Sequence, residues 1–305
     1  MKTLKRWIIL WMVAFMTVGM FGCMGGSKKV KAEYSALSYT QAVAVADIEA
    51  YAREVSVQGT NKKNNAPVEN GIVLCPYYTL KVNGKEVPVY TTRCTNSTHS
   101  FAWIDVKGAP NDSDFYLDIE LETAKKYSGV VVLPEKSGVK AELADKKVTA
   151  RIEGYGDYSF VFSTDRLKTF KVTNQPLTLI VAPESSPEVP DDYAYVEIEP
   201  GRYAYDDLVL TQSNTVYAFK SGEYELRRIV ASKLENIMFY FEPGTYISVF
   251  ETPEIGLDQY NIGGPAFGIS GCNNVRIEGR ALFDFSGVRG LYKDPETGED
   301  VDMTQ

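Results

Sequence analysis

Three stretches decide the fold: Asn214-Thr215-Val216-Tyr217-Ala218-Phe219, Asn236-Ile237-Met238-Phe239-Tyr240-Phe241 and Asn274-Val275-Arg276-Ile277-Glu278-Gly279. Each is an asparagine followed by a short strand-forming run. The spacing is 22 from the first asparagine to the second and 38 from the second to the third. The longer gap reads as one similar unit plus an inserted loop, placed at residues 251–264, where Pro253 and the pair Gly263-Gly264 interrupt the pattern. A repeat of ~20–50 residues whose unit is a strand with turn residues points to a solenoid. With strands as units, the expectation is an all-β chain ending in the first coils of a right-handed parallel β-helix. The three asparagines would stack at one turn, each side-chain amide satisfying backbone groups the turn leaves unpaired.

The N-terminus carries a different signal. Lys2, Lys5 and Arg6 precede an uncharged run from Trp7 to Gly22. That run is shorter than the ~20 residues a bilayer span needs, so it fits an export signal, residues 1–22. It closes on Met20-Phe21-Gly22-Cys23, which resembles a bacterial lipobox, with Cys23 as the lipidated residue. The alternative is ordinary secretion with cleavage after Val30-Lys31-Ala32. Residues 25–29 would then be a flexible tether to a membrane, since several acyl chains at ~0.8 kcal/mol per buried CH₂ anchor durably.

The net charge of −8 and pI near 5 argue against nucleic acid as a partner. Four cysteines occur: Cys23, Cys75, Cys94 and Cys272. Cys75 and Cys94 flank a hairpin and are the candidate disulfide in an oxidising compartment, with two free thiols as the alternative. No Cys/His cluster has metal-ligand spacing, His99 is the single histidine, and no cofactor is implied.

Between these ends, residues 38–55 are the one helical candidate. Ser38 and Gln41 suit a capping box, and Ala44, Ile48, Tyr51, Ala52 and Val55 recur at helical spacing. Together with the tether this makes residues 23–70 a spacer. Residues 71–183 read as an immunoglobulin-like sandwich of seven or eight short strands. Its clearest element is Tyr78-Thr79-Leu80-Lys81-Val82, then Asn83-Gly84 as a type I′ turn, then a return strand. Residues 184–192, proline-rich and acidic, are a linker, and residues 193–305 begin the β-helix.

The run from Leu80 to Tyr90, continued by His99-Ser100-Phe101-Ala102-Trp103-Ile104-Asp105-Val106, resembles the N-terminal sandwich of certain bacterial β-helix glycoside hydrolases. Residues 274–284 resemble the early coil of the polygalacturonase-like enzymes, glycoside hydrolase family 28. The two-domain plan is also similar to the dextranase and isopullulanase family, family 49. The resemblance implies hydrolysis of an extended pectin- or glucan-type polysaccharide by paired carboxylates, ~6.5–9.5 Å apart in inverting enzymes. The motifs that carry those carboxylates are absent from this sequence. Asp191-Asp192 lies in the linker, Asp206-Asp207 precedes the first unit, and Asp284 falls at a turn position of the early coil. Asp294, Glu296, Glu299, Asp300 and Asp302 form an acidic surface segment. No catalytic residue is nominated, and the catalytic coils are expected beyond residue 305. Among the aromatics, Tyr217, Phe219, Phe239 and Phe241 default to core, and Tyr240 is the outward candidate for stacking on a sugar. The competing functions are a non-catalytic glycan-binding or adhesin lipoprotein and a β-helix polysaccharide lyase.

Overall fold

A computed structural model describes residues 29–39, 42–44, 72–93, 98–108, 110–112, 114–164, 175–184, 186–203, 207–250, 267–287, 291–293 and 300–302. Among them the chain is all-β, with one short 3-10 turn at Glu135–Ser137 and no α-helix. Two mainly antiparallel sheets share one core, and a curled parallel sheet follows.

In the first sheet the strands run Ala141–Ala144, Lys147–Ile152, Phe115–Thr123, Tyr78–Val82, Lys85–Val87. The Asn83-Gly84 turn forms as its sequence requires: φ is +49° and +79° at the two positions, the left-handed pair that a type I′ hairpin needs. In the second sheet the order is Gly129–Leu133, Gly156–Ser163, Leu177–Pro183, Thr98–Val106, Tyr90–Arg93, Ile72–Leu74, Val43–Ala44. Alternation along each strand sends one side inward. Leu117, Ile119 and Leu121 from the first sheet meet Ile104, Phe160, Phe162 and Leu179 from the second in one buried cluster.

The N-terminal segment departs from the sequence reading. Val30–Lys31 pairs in parallel with Phe115–Thr123, and Tyr34–Ala36 pairs antiparallel with Thr98–Val106. Val43–Ala44 is a strand beside Ile72–Leu74, so the helix expected over residues 38–55 is wrong where the structure describes it; the rest of that range lies outside the described residues. The physical reason is pairing: the backbone groups of Val43–Ala44 are taken by the Ile72–Leu74 strand instead of by a helical ladder. Ala32, Tyr34 and Ala36 alternate with Lys31, Glu33 and Ser35, which suits a half-buried strand. The expected spacer of residues 23–70 therefore contributes strands between Val30 and Ala44, and the layered unit begins at Val30 rather than at its expected boundary, residue 71.

Asn83 fastens the new edge. Its side-chain amide donates to the Ala32 carbonyl at 2.8 Å, and its side-chain oxygen accepts from the Asp118 N–H at 2.9 Å. One turn residue thus bridges the gap where the Tyr78–Val82 strand ends and Val30–Lys31 begins.

From Ala194 the chain lays parallel strands on three faces in turn. The first face stacks Ala194–Ile198, Thr215–Phe219 and the starts of Glu235–Phe250 and Asn273–Gly287. The second stacks Gly201–Arg202, Gly222–Leu226 and the later halves of those two long strands. The third, which the sequence reading does not separate from the second, stacks Leu208–Leu210, Ile229–Ser232 and Phe267–Ser270. The three asparagines register as expected. Asn236 donates to Asn214 and Asn274 donates to Asn236, each at 2.8 Å. All three hold left-handed φ, between +51° and +55°, a conformation asparagine tolerates better than other side-chain-bearing residues.

Inside the curl, Phe219 stacks on Phe241 at 4.7 Å between ring centroids, and Phe267 and Phe283 close on Phe241 edge-on. The next position in that column is Gly279, at φ +98°. A Cβ there would stand 2.0 Å from the Phe241 carbonyl oxygen, so only glycine lets the fourth strand lie against the third. The expected insertion at residues 251–264 lies outside the described residues; the flanking strands resume their register at Phe267.

Candidate functional site

The chemistry-bearing side chains of the curled sheet gather at its corners. The residue after each repeat unit is charged: Lys220, Glu242 and Arg280, with Glu199 at the matching point of the first circuit. The signs alternate up the corner. Lys220 Nζ bonds Glu242 at 2.5 Å and Glu197 at 3.3 Å, and the Glu242 hydrogen bond first, then Glu197, raises the Lys220 ammonium above its ordinary value. At the next corner Arg227 and Arg228 both donate to Asp207, at 2.8 and 2.9 Å. Burial pushes the Asp207 carboxyl up, but the two arginines outweigh it and hold the group below its usual range.

The top of the first corner reaches the layered unit. Arg280 Nε donates to Asp105 at 3.2 Å, and a terminal nitrogen donates to the Pro183 carbonyl at 3.0 Å. Its guanidinium lies 5.2 Å from the Trp103 ring centroid, a cation–π arrangement. Asp105 is buried, and burial raises its carboxyl above the ordinary value despite the opposing pull of Arg280. Beside it the outer side of the second face is covered. Tyr246 and Tyr39 are each 3 % exposed and share one apolar cluster with Ile72, Tyr90 and Phe101. Tyr246 donates its hydroxyl to Asp284.

This arrangement assigns most sequence candidates to structural roles. Asp284 is a buried strand residue hydrogen-bonded to Tyr246, not a turn aspartate. Asp191 and Asp192 form an exposed turn. Asp206 lies outside the described residues, as do Asp294, Glu296 and Glu299; Asp300 and Asp302 belong to a short strand paired with Leu291–Lys293. His99 faces Thr178 at 3.0 Å, and burial lowers its ring. Tyr217, Phe219, Phe239 and Phe241 are interior, as expected. Tyr240 does point to the other side of its sheet, with Val216, Ala218 and Met238, but it is 4 % exposed there. A ring so covered offers no platform to a sugar, which corrects the expectation.

Cys75 carries a free thiol that lies 3.3 Å from the Ser100 hydroxyl, so the expected bridge to Cys94 is not present at Cys75. Cys94 lies outside the described residues, as does Cys23. Cys272 is also free. Among the described residues no group of three His, Cys, Asp or Glu side chains is placed to hold a metal ion.

Asp105, Tyr39, Tyr246 and Arg280 form the junction, and sequence reasoning nominates none of them. The charge that follows each repeat unit is the signal available for Arg280. Nothing local marks Tyr39 or Tyr246. Neither a protein-family model nor a characterised protein matches this chain by sequence.

Proposed function

We propose that the layered unit is an immunoglobulin-like sandwich, that the curled sheet opens a right-handed parallel β-helix, and that the two form the N-terminal part of a surface-anchored polysaccharide hydrolase. The observation that carries the reading is the Asn214–Asn236–Asn274 amide ladder on a three-faced parallel stack. Stacked circuits present extended faces suited to a long polymer. The substrate class, pectin or glucan, comes from the resemblance of residues 80–106 and 274–284 to family 28 and family 49 enzymes. Lipid on Cys23 would hold the protein at a membrane.

Five carboxylates of the described circuits are paired with cations and support a division of labour. Glu197 and Glu242 bond Lys220, Asp207 bonds two arginines, Glu225 bonds Arg202 and Glu278 bonds Arg276. Two arginines hold the Asp207 carboxyl below its usual range, which makes it a poor general acid at neutral pH. In this reading the acid and base lie outside the described circuits, which contribute binding and support. The same pairing favours the second reading, a glycan-binding lipoprotein without catalysis.

Affinity electrophoresis in gels carrying pectin, dextran or pullulan, with a reducing-end assay on the same polymers, tests both. Retardation by one polymer without new reducing ends is expected of this chain. Release of reducing ends would place a catalytic pair within it, and neither retardation nor release would overturn both readings. Labelling with a fatty-acid analogue, abolished by Cys23→Ala, tests the anchor.

A further inference from the structure

We infer that the N-terminal segment, residues 30–39 and 42–44, is a strap that locks the curled sheet onto the layered unit, so that the two open together. The inference is independent of the proposed activity and rests on three sets of contacts. First, the segment joins both sheets of the layered unit: Val30–Lys31 to the Phe115–Thr123 strand, Tyr34–Ala36 to Thr98–Val106, and Val43–Ala44 to Ile72–Leu74. The Leu37 N–H adds a bond to the Trp103 carbonyl at 3.0 Å, beside the ring that receives Arg280. Second, the strap drives one side chain between the units. Tyr39 meets Tyr90 of the layered unit at 5.2 Å and Tyr246 of the curled sheet at 6.4 Å between centroids, both edge-on. Its backbone N–H donates to the Tyr90 hydroxyl at 2.8 Å. Third, the strap lies near the bend that feeds the second face: a Cβ added at Gly244 would stand 3.5 Å from the Ser38 carbonyl oxygen.

Edge-on rings at these separations are favourable contacts beyond the area they bury, and Tyr39 makes one to each unit. Removing its ring leaves a void that neither sheet fills alone, because core packing relaxes only in part. The wedge therefore couples the openings of both partners rather than stabilising its own strand alone.

Hydrogen–deuterium exchange of the full chain tests the strap. In Tyr39→Ala, exchange is expected to accelerate at least tenfold in both Tyr90–Arg93 and residues 245–249, while the Phe115–Thr123 strand keeps its wild-type rate. Tyr39→Phe, which keeps the ring and the backbone donor, is expected to match wild type. Acceleration confined to residues 34–44 would overturn the inference. Should Tyr39→Ala loosen every segment, Tyr246→Leu approaches the wedge from the other side. Faster exchange at residues 34–39 and 90–93 in that variant supports the strap, and unchanged exchange there overturns it.

Discussion

Arg280 and Asp105, distant in the chain, form an ion pair whose side chains are 13 % and 5 % exposed. Arg280 closes the charged corner of the curled sheet, and Asp105 belongs to the strand at the centre of the second layer. Buried pairs of this kind add little over an apolar replacement, but losing one partner leaves a charge in low dielectric. Arg280→Ala is therefore expected to cost about 3 kcal/mol, measured by urea denaturation at pH 7.

The Asp105 carboxyl is raised above its ordinary value by burial, with Arg280 opposing. A carboxylate with a raised folded pKa stabilises the fold below its unfolded pKa and loses that contribution as pH rises through the folded value. Asp105→Asn removes this dependence. The stability of the native protein relative to Asp105→Asn is expected to fall as pH rises from about 3.9, the unfolded Asp value, through the folded value. Paired denaturation midpoints across that window check the sign.

Asp207 titrates the other way. Burial alone would raise it, but hydrogen bonds from Arg227 and Arg228 hold it below its usual range. Its contribution is present above the unfolded pKa and is lost as pH falls through the folded one. Asp207→Asn is expected to cost about 1.5 kcal/mol at pH 7, the lower figure for a hydrogen bond to a charged group, because both arginines are partly exposed. The deficit should shrink towards zero below the folded pKa, and a deficit constant with pH would count against the charge.

The amide ladder separates from its backbone by two substitutions at its middle. Asn236→Ala loses both amide bonds and places alanine at φ +55°. Asn236→Gly loses the bonds but relaxes the backbone. We expect about 2–3 kcal/mol for alanine and about 1–2 kcal/mol less for glycine, the left-handed penalty of an ordinary L-residue. Equal losses would show that the amide, not the dihedral, dominates.

Cys75 and Cys94 are expected to alkylate freely without reductant. The Cys75 N–H donates to Val89, and the ladder runs from Leu74↔Tyr90 to Ile72↔Thr92. Arg93 thus stands four positions from Val89, about 13 Å at ~3.3 Å per residue. Cys75 itself carries a free thiol beside the Ser100 hydroxyl. The intact mass after iodoacetamide under denaturing, non-reducing conditions counts the thiols; a bridged pair would be two adducts short.

The strands of the layered unit are largely legible in the sequence, because each reads as alternation between turn residues. The Asn83-Gly84 hairpin stands where the sequence puts it. The split at Arg227-Arg228, which separates the second face from the third, is not legible. No glycine or proline marks it; Asp207, one circuit earlier, fixes the two arginines there. The N-terminal segment is not legible, because Ala44, Ile48 and Val55 satisfy a helical period while Val43–Ala44 pairs as a strand with Ile72–Leu74, a partner that no local pattern names.

The sequence by itself determined what depends on near neighbours and on repetition: the strand periods, the type I′ turn, and the asparagine spacing that put three amides in one column. Tertiary structure alone decided what depends on groups far apart in the chain. It brought Arg280 to Asp105 and Tyr39 between Tyr90 and Tyr246, and it covered Tyr240. A side chain's burial and charge state are set by whichever surface the fold lays against it, and no local pattern encodes that surface.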